Sequence, residues 1–138
     1  MDVDRVARLP LFGELDHYDL EHVASWLRDV ELAPGAVLIT QGAMPDDVYV
    51  IEEGSVEVTR DGAAIATLGA GDVVGEIALV QPQRRTATVR ATSAVRAVAL
   101  NLRDLPEMAS EMPEIVRHLR SIAERRRDEL EQIRPDQS

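Results

Sequence analysis

Two apolar rhythms divide the chain. Between residues 31 and 101, short β-branched runs at 37–40, 48–51, 55–60, 63–68, 85–91 and 94–100 are punctuated by Pro34-Gly35, Gly42, Gly54, Asp61-Gly62, Gly69 and Gly71-Asp72. That spacing predicts short antiparallel strands. Val56-Glu57-Val58 and Val89-Arg90-Ala91 alternate with period two, the mark of a sheet with one wet face. Both ends carry a helical rhythm instead. Asp16 is placed to cap a helix over 17–27 in which Leu20, Val23, Ala24 and Leu27 share a face. Asn101 is placed to cap a short helix, and Pro106 and Pro113 mark two further segments, with Pro113 in the favoured first-turn position. In the last segment Ile115, Leu119, Ile122, Leu130 and Ile133 form one apolar stripe, while Glu114, Arg117, Arg120, Glu124, Arg127, Asp128 and Glu131 occupy the other faces. Such a helix must pack on something. Helix, roll and helices in this order predict an α+β fold.

Composition sharpens the division. All eight glycines precede residue 76, so the turn-rich part ends there. A chain of 138 residues is expected to form one domain with a sizeable core, comprising a helical segment 1–30, a β-roll 31–101 and C-terminal helices 102–134. Cysteine is absent, which excludes a disulfide scaffold. No apolar run approaches the roughly 18 to 20 residues of a membrane span, and Met1-Asp2-Val3-Asp4 has the wrong charge for a signal peptide. A soluble, cytoplasmic chain without membrane insertion is the expectation.

The 25 acids outweigh 15 cations, all arginine, for a net charge of −10. That balance argues against nucleic acid as a partner. One window breaks it: residues 77–103 hold Arg84, Arg85, Arg90, Arg96 and Arg103 and no acid, where the average composition would place about five. A solvated strand face accounts for this, and so does an anion bound beside the window.

Inside the window lies Val74-Gly75-Glu76-Ile77-Ala78-Leu79-Val80-Gln81-Pro82-Gln83-Arg84-Arg85-Thr86-Ala87-Thr88-Val89. Gly75 lets a ligand approach the backbone, and residues 76–80 can form one helical turn whose free amides attract phosphate. Arg85 and the Thr86 hydroxyl can add donors to the same phosphate. Glu76 suits an anion site if it accepts hydrogen bonds from ligand hydroxyls, such as those of a ribose, while Arg85 balances its charge. An ion pair of Glu76 with Arg85 that merely braces a turn fits the spacing equally well.

Gly75-Glu76-Ile77-Ala78-Leu79 and Arg85-Thr86-Ala87-Thr88-Val89 resemble the phosphate-binding cassette of the cyclic nucleotide-binding domain family. Leu11-Phe12-Gly13-Glu14-Leu15, Pro34-Gly35, Gln41-Gly42, Val48-Tyr49-Val50-Ile51 with Gly54-Ser55-Val56, and Leu68 through Gly71-Asp72 extend the resemblance over roughly residues 10–130. Val74 stands where the family usually has an aromatic residue and Arg84 where it usually has proline. An arginine pair at this point is similar to cyclic nucleotide-gated and hyperpolarisation-activated channels. The resemblance implies an eight-stranded, jelly-roll-like antiparallel β-roll flanked by an N-terminal helix and C-terminal helices, the last acting as a lid. It also implies that Gly75, Ile77, Ala78, Arg85, Thr86 and Ala87 surround a cyclic phosphate, with Glu76 on the ribose 2′-hydroxyl and Val58, Ala66 and Leu68 walling an apolar slot for the base. The last helix resembles the lid of bacterial potassium channels of this class, in which an arginine at the offset of Arg126 contacts the base. Arg125-Arg126-Arg127 beside Glu124, Asp128 and Glu129 reads equally as a salt-bridged helix face.

The function so implied is a cyclic nucleotide sensor, for cAMP first and cGMP second, signalling through its C-terminal helix to a protein effector or a second copy of the chain. The ligand is the cyclic nucleotide, with no cofactor or metal. Alternatives are an interaction module that has kept the fold without binding, or the regulatory part of a larger channel or transcription factor. An enzyme is not expected. His17, His22 and His118 fall on the helices rather than clustering on strands as a cupin metal site requires, and no nucleophile, base and orienting acid form a set.

Overall fold

The computed structural model describes residues 1–80 and 83–132, with the side chains of residues 126, 127 and 129–132 excepted. Helices α1 (Val3–Ala7) and α2 (His17–Ala24) open the chain, and α3 (Leu105–Glu111) and α4 (Pro113–Gln132) close it. Between them run eight strands: β1 (Leu27–Leu32), β2 (Val37–Ile39), β3 (Asp47–Glu53), β4 (Ser55–Arg60), β5 (Ala63–Gly69), β6 (Val73–Val74), β7 (Thr88–Ala91) and β8 (Val95–Asn101). They form two four-stranded antiparallel sheets, ordered β1-β8-β3-β6 and β2-β7-β4-β5. The α+β jelly roll implied by the resemblance is the fold observed.

Burial explains why the strand runs differ in character. Val48, Val50, Val98 and Leu100 of the first sheet face a core built with Val6, Phe12, Leu20, Val23, Met108, Ile115, Val116 and Leu119 of the helices. Tyr49, Ile51, Ala97 and Ala99, alternating with them, face a second core shared with Ile39, Val56, Val58 and Val89 of the other sheet. Strands covered on both faces must be apolar at every position, so β3 is a continuous run. The second sheet is covered on one face only, and Val56 and Val58 are buried while Glu57 between them is not.

Capping follows the sequence. Asp16 accepts from the Asp19 amide at 2.8 Å, and Asn101 accepts from the Arg103 amide at 2.8 Å ahead of a short 3-10 turn, Leu102–Asp104. Two boundaries differ from expectation. The helix expected over 17–27 stops at Ala24, where the Ser25 hydroxyl donates to the His22 carbonyl at 2.6 Å. Leu27 instead begins β1, which pairs with β8 from Leu27 opposite Leu100 to Leu32 opposite Val95. Strand pairing over six residues thus overrides helical periodicity at the end of the run, inside the segment 1–30 expected to be helical. The strand expected over 85–91 begins only at Thr88. Arg85 is held off the sheet because its amide donates to the Ala43 carbonyl and its carbonyl accepts from the Gly42 amide, each at 2.8 Å.

On α4, Ile115 and Leu119 are buried as the stripe predicts, joined by Val116 and Ala123, which the stripe left out. Leu130 and Ile133, the other end of the stripe, lie outside the described side chains. No helix among the described residues is long and apolar enough to cross a membrane.

Candidate ligand-binding site

A cavity of about 250 Å³ opens from the core between the sheets. One end is aliphatic, walled by Ile39, Val58, Ile65, Ala66, Leu68 and Val89. The other end is polar, where Gly75, Glu76, Ile77 and Ala78 meet Gln83, Arg84, Arg85, Thr86 and Ala87 across the opening. The sheet places these two ends together because β4, β5 and β7 are neighbours, with Val58 opposite both Ala66 and Val89.

The polar end is organised by a sharp turn. Gly75 leaves the two-residue strand β6 with φ at +81°, in the left-handed region, and starts a 3-10 turn over Glu76–Leu79. A Cβ at residue 75 would lie 2.7 Å from the Arg85 Nη1, 3.1 Å from the Ile39 Cδ1 and 3.2 Å from the Asp47 carbonyl oxygen. Glycine is therefore required twice here, by backbone conformation and by space. The first amides of such a turn have no acceptor within it.

Arg85 is buried, with its side chain 6% exposed. Its Nη1 donates to the Gly75 carbonyl at 2.9 Å, and its Nη2 donates to the Asp47 carbonyl at 2.5 Å and to Asp46 Oδ1 at 3.1 Å. The carboxylate that Arg85 meets among the described residues is thus Asp46, which sequence spacing did not single out. Three of five guanidinium N–H groups are engaged in these bonds; among the described residues, Nε and one N–H of Nη1 are not. Behind Arg85, Arg28 donates to Asp47 Oδ2 at 2.8 Å. Burial beside the Asp46 and Asp47 carboxylates pushes the Tyr49 phenol up to about 12, so it stays a neutral donor.

Glu76 is 3% exposed and lines the same cavity. Thr86 is fixed from behind, its carbonyl accepting from Arg60 Nε at 3.2 Å, and the Thr88 hydroxyl accepts from the Gln41 amide at 3.0 Å.

Gly75, Glu76, Ile77, Ala78, Arg85, Thr86, Ala87, Val58, Ala66 and Leu68, gathered from the sequence, therefore meet around one space. The side chain of Arg126, the remaining candidate, lies outside the described residues; its backbone is part of α4. The structure adds Ile39, Ile65, Val74, Gln83, Arg84 and Val89 to the lining. Val89 was legible in principle, because its alternation with Arg90 turns it toward the same face as Val58. Ile39 carried no local signal and arrives only through the pairing of β2 with β7.

The model of the cyclic nucleotide-binding domain matches residues 29–112, well over half of the chain. This chain belongs to the cyclic nucleotide-binding domain family. It is 35% identical over 122 residues to a cyclic nucleotide-gated potassium channel of Rhizobium etli, covering 88% of this chain and 34% of the channel. It is 35% identical over 89 residues to the cAMP-dependent protein kinase regulatory subunit of Schizosaccharomyces pombe, covering 64% of this chain and 22% of the subunit. Among solved structures, the N-terminal domain of a transcriptional regulator from Streptomyces coelicolor superposes with a TM-score of 0.71 at 32% identity, covering 96% of this chain and 97% of that one. The chain spans about a third or less of the curated relatives it matches. In this cyclic nucleotide-binding domain the family match ends at Met112, just before α4.

Proposed function

We propose that this chain is a cyclic nucleotide sensor, with cyclic AMP as its first ligand and cyclic GMP admitted by the same site. The observation that carries the reading is a single cavity joining an aliphatic slot to a buried carboxylate, a buried guanidinium and the start of a tight turn. A cyclic nucleotide has the complementary order of parts: a flat apolar base, a ribose hydroxyl, and a singly charged cyclic phosphate. In this pose Glu76 accepts from the ribose 2′-hydroxyl. Arg85 donates to the phosphate together with the amides of Ile77 and Ala78 and the Thr86 hydroxyl, and the base lies between Val58, Ala66 and Leu68. The slot walls present no polar side chain among the described residues, which favours tolerance of both purines over strict choice. The chain's own part is binding, so no catalytic role is proposed.

Output through α4 fits the packing. α4 lies along the 3-10 turn that holds Glu76, and Leu79 of that turn belongs to the core that buries Ile115, Val116 and Leu119. A ligand that shifts the turn therefore changes the surface on which α4 docks. Arg126 as a lid contact, and an effector or second copy captured by α4, belong to this proposal.

Calorimetric titration of the intact protein with each nucleotide tests it. The expected result is saturable binding of both, lost in Glu76→Ala and Arg85→Ala, with Thr86→Ala weakening both because its hydroxyl donates to the phosphate they share. Absence of heat and of any melting shift at millimolar concentrations of either nucleotide establishes the interaction-module alternative instead.

A further inference from the structure

Resting on that reading, a second cation at the cavity has a different task from Arg85. Arg84 lines the same opening, but it is exposed where Arg85 is buried. It makes one hydrogen bond, from Nη1 to the Gly42 carbonyl at 3.1 Å, and no ion pair among the described residues. Arg85 is already matched by Asp46 and by two backbone carbonyls. The backbone beside Arg84 is fixed, because the Arg85 amide and carbonyl are bonded to Ala43 and Gly42 in the turn that carries its acceptor.

We propose that Arg84 is the steering residue of the site, the cation that captures the anionic ligand from solvent and sets the rate of association. Arg84 places an exposed positive charge at the opening in a chain whose net charge is −10. An anion approaching such a protein is repelled at long range, and residues 77–103, with their five arginines and no acid, are the stretch where that repulsion is relieved. An exposed charge acts over about 30 Å at 10 mM salt and about 8 Å at physiological ionic strength, so its contribution fades with salt. A buried donor such as Arg85 acts at contact and governs escape. Charges on a rim act mainly through association, and charges in the buried part of a site through dissociation.

Stopped-flow mixing of the intact protein with a fluorescent cyclic AMP analogue, at about 10 mM and about 300 mM salt, separates the two roles. Arg84→Gln is expected to slow association by about three- to tenfold at low salt and to flatten its dependence on salt, with dissociation changed by less than about twofold. Arg84→Lys keeps the charge and is expected to keep the salt dependence of the parent protein. The inference is overturned if Arg84→Gln leaves association and its salt dependence unaltered, or if Arg84→Lys behaves as Arg84→Gln, which would place the effect in the Gly42 bond. Binding by the parent protein with either of these outcomes sinks the steering role alone; no binding of the probe by the parent protein at millimolar concentration sinks the sensor reading with it.

Discussion

Gly75→Ala separates conformational strain from close packing, because the protein contains its own control. Gly62, in the Asp61-Gly62 turn between β4 and β5, has φ at +83°, nearly that of Gly75, yet a Cβ there would meet nothing within 4 Å. Placing alanine in the left-handed region costs about 1–2 kcal/mol, partly offset by the lower entropy of the unfolded chain. Gly62→Ala should therefore cost about 1 kcal/mol. At residue 75 the same term applies, and the new Cβ also sits 2.7 Å from the Arg85 Nη1. The guanidinium must withdraw from the Gly75 carbonyl, and losing a hydrogen bond from a charged donor costs about 1.5–3 kcal/mol more. Gly75→Ala should thus lose about 2.5–4 kcal/mol in all. At about 3–5 °C per kcal/mol for a chain of this size, thermal unfolding should fall by roughly 10 °C or more, against a few degrees for Gly62→Ala. Because Arg85 moves, cyclic nucleotide affinity should fall at least about tenfold, equivalent to about 1.4 kcal/mol, while Gly62→Ala binds as the parent does. Equal melting temperatures for the two variants, with unchanged affinity in both, would refute the claim that the Gly75–Arg85 approach organises the site.

Two further outcomes test the frame around the cavity. Leu119 is 1% exposed between α4 and the helical core, so Leu119→Ala should cost about 2–5 kcal/mol, read as a lower urea midpoint at unchanged slope; a loss below about 1 kcal/mol would mean that α4 is not docked. Arg5 of α1 pairs with Glu52 of β3 and with Asp29 of β1, and its guanidinium holds the Asp29 carboxyl below the ordinary carboxylate value. A depressed folded-state pKa adds stability that is present above the ordinary value and lost as pH falls through the depressed one. Arg5→Met should therefore lower the melting temperature at neutral pH, with the gap to the parent protein closing as pH falls below the ordinary carboxylate range; a gap independent of pH would refute the electrostatic origin.

Local chemistry made much of this molecule legible in advance. Helix starts were readable because a capping side chain acts on amides only two or three residues away, as Asp16 and Asn101 do. The polar half of the site was readable because one stretch of 16 residues holds both Glu76 and Arg85. The end of α2 was not, since Leu27 satisfies a helical period as well as it satisfies its place opposite Leu100, and the partner strand lies more than 70 residues away. Asp46 escaped notice for the same reason: 39 residues separate it from Arg85, and only the folded β2–β3 connection brings its carboxylate to 3.1 Å.

From the sequence alone came the periodicities, the caps, the glycine-bearing turns and the locally acid-free stretch, all of which depend on neighbours within one turn or one hairpin. Tertiary structure decided which apolar residues face the helical core and which face the cavity, which carboxylate meets Arg85, and that Arg84 is left exposed beside it. Those outcomes rest on strand register and sheet packing, where a contact is made between residues that share no local pattern.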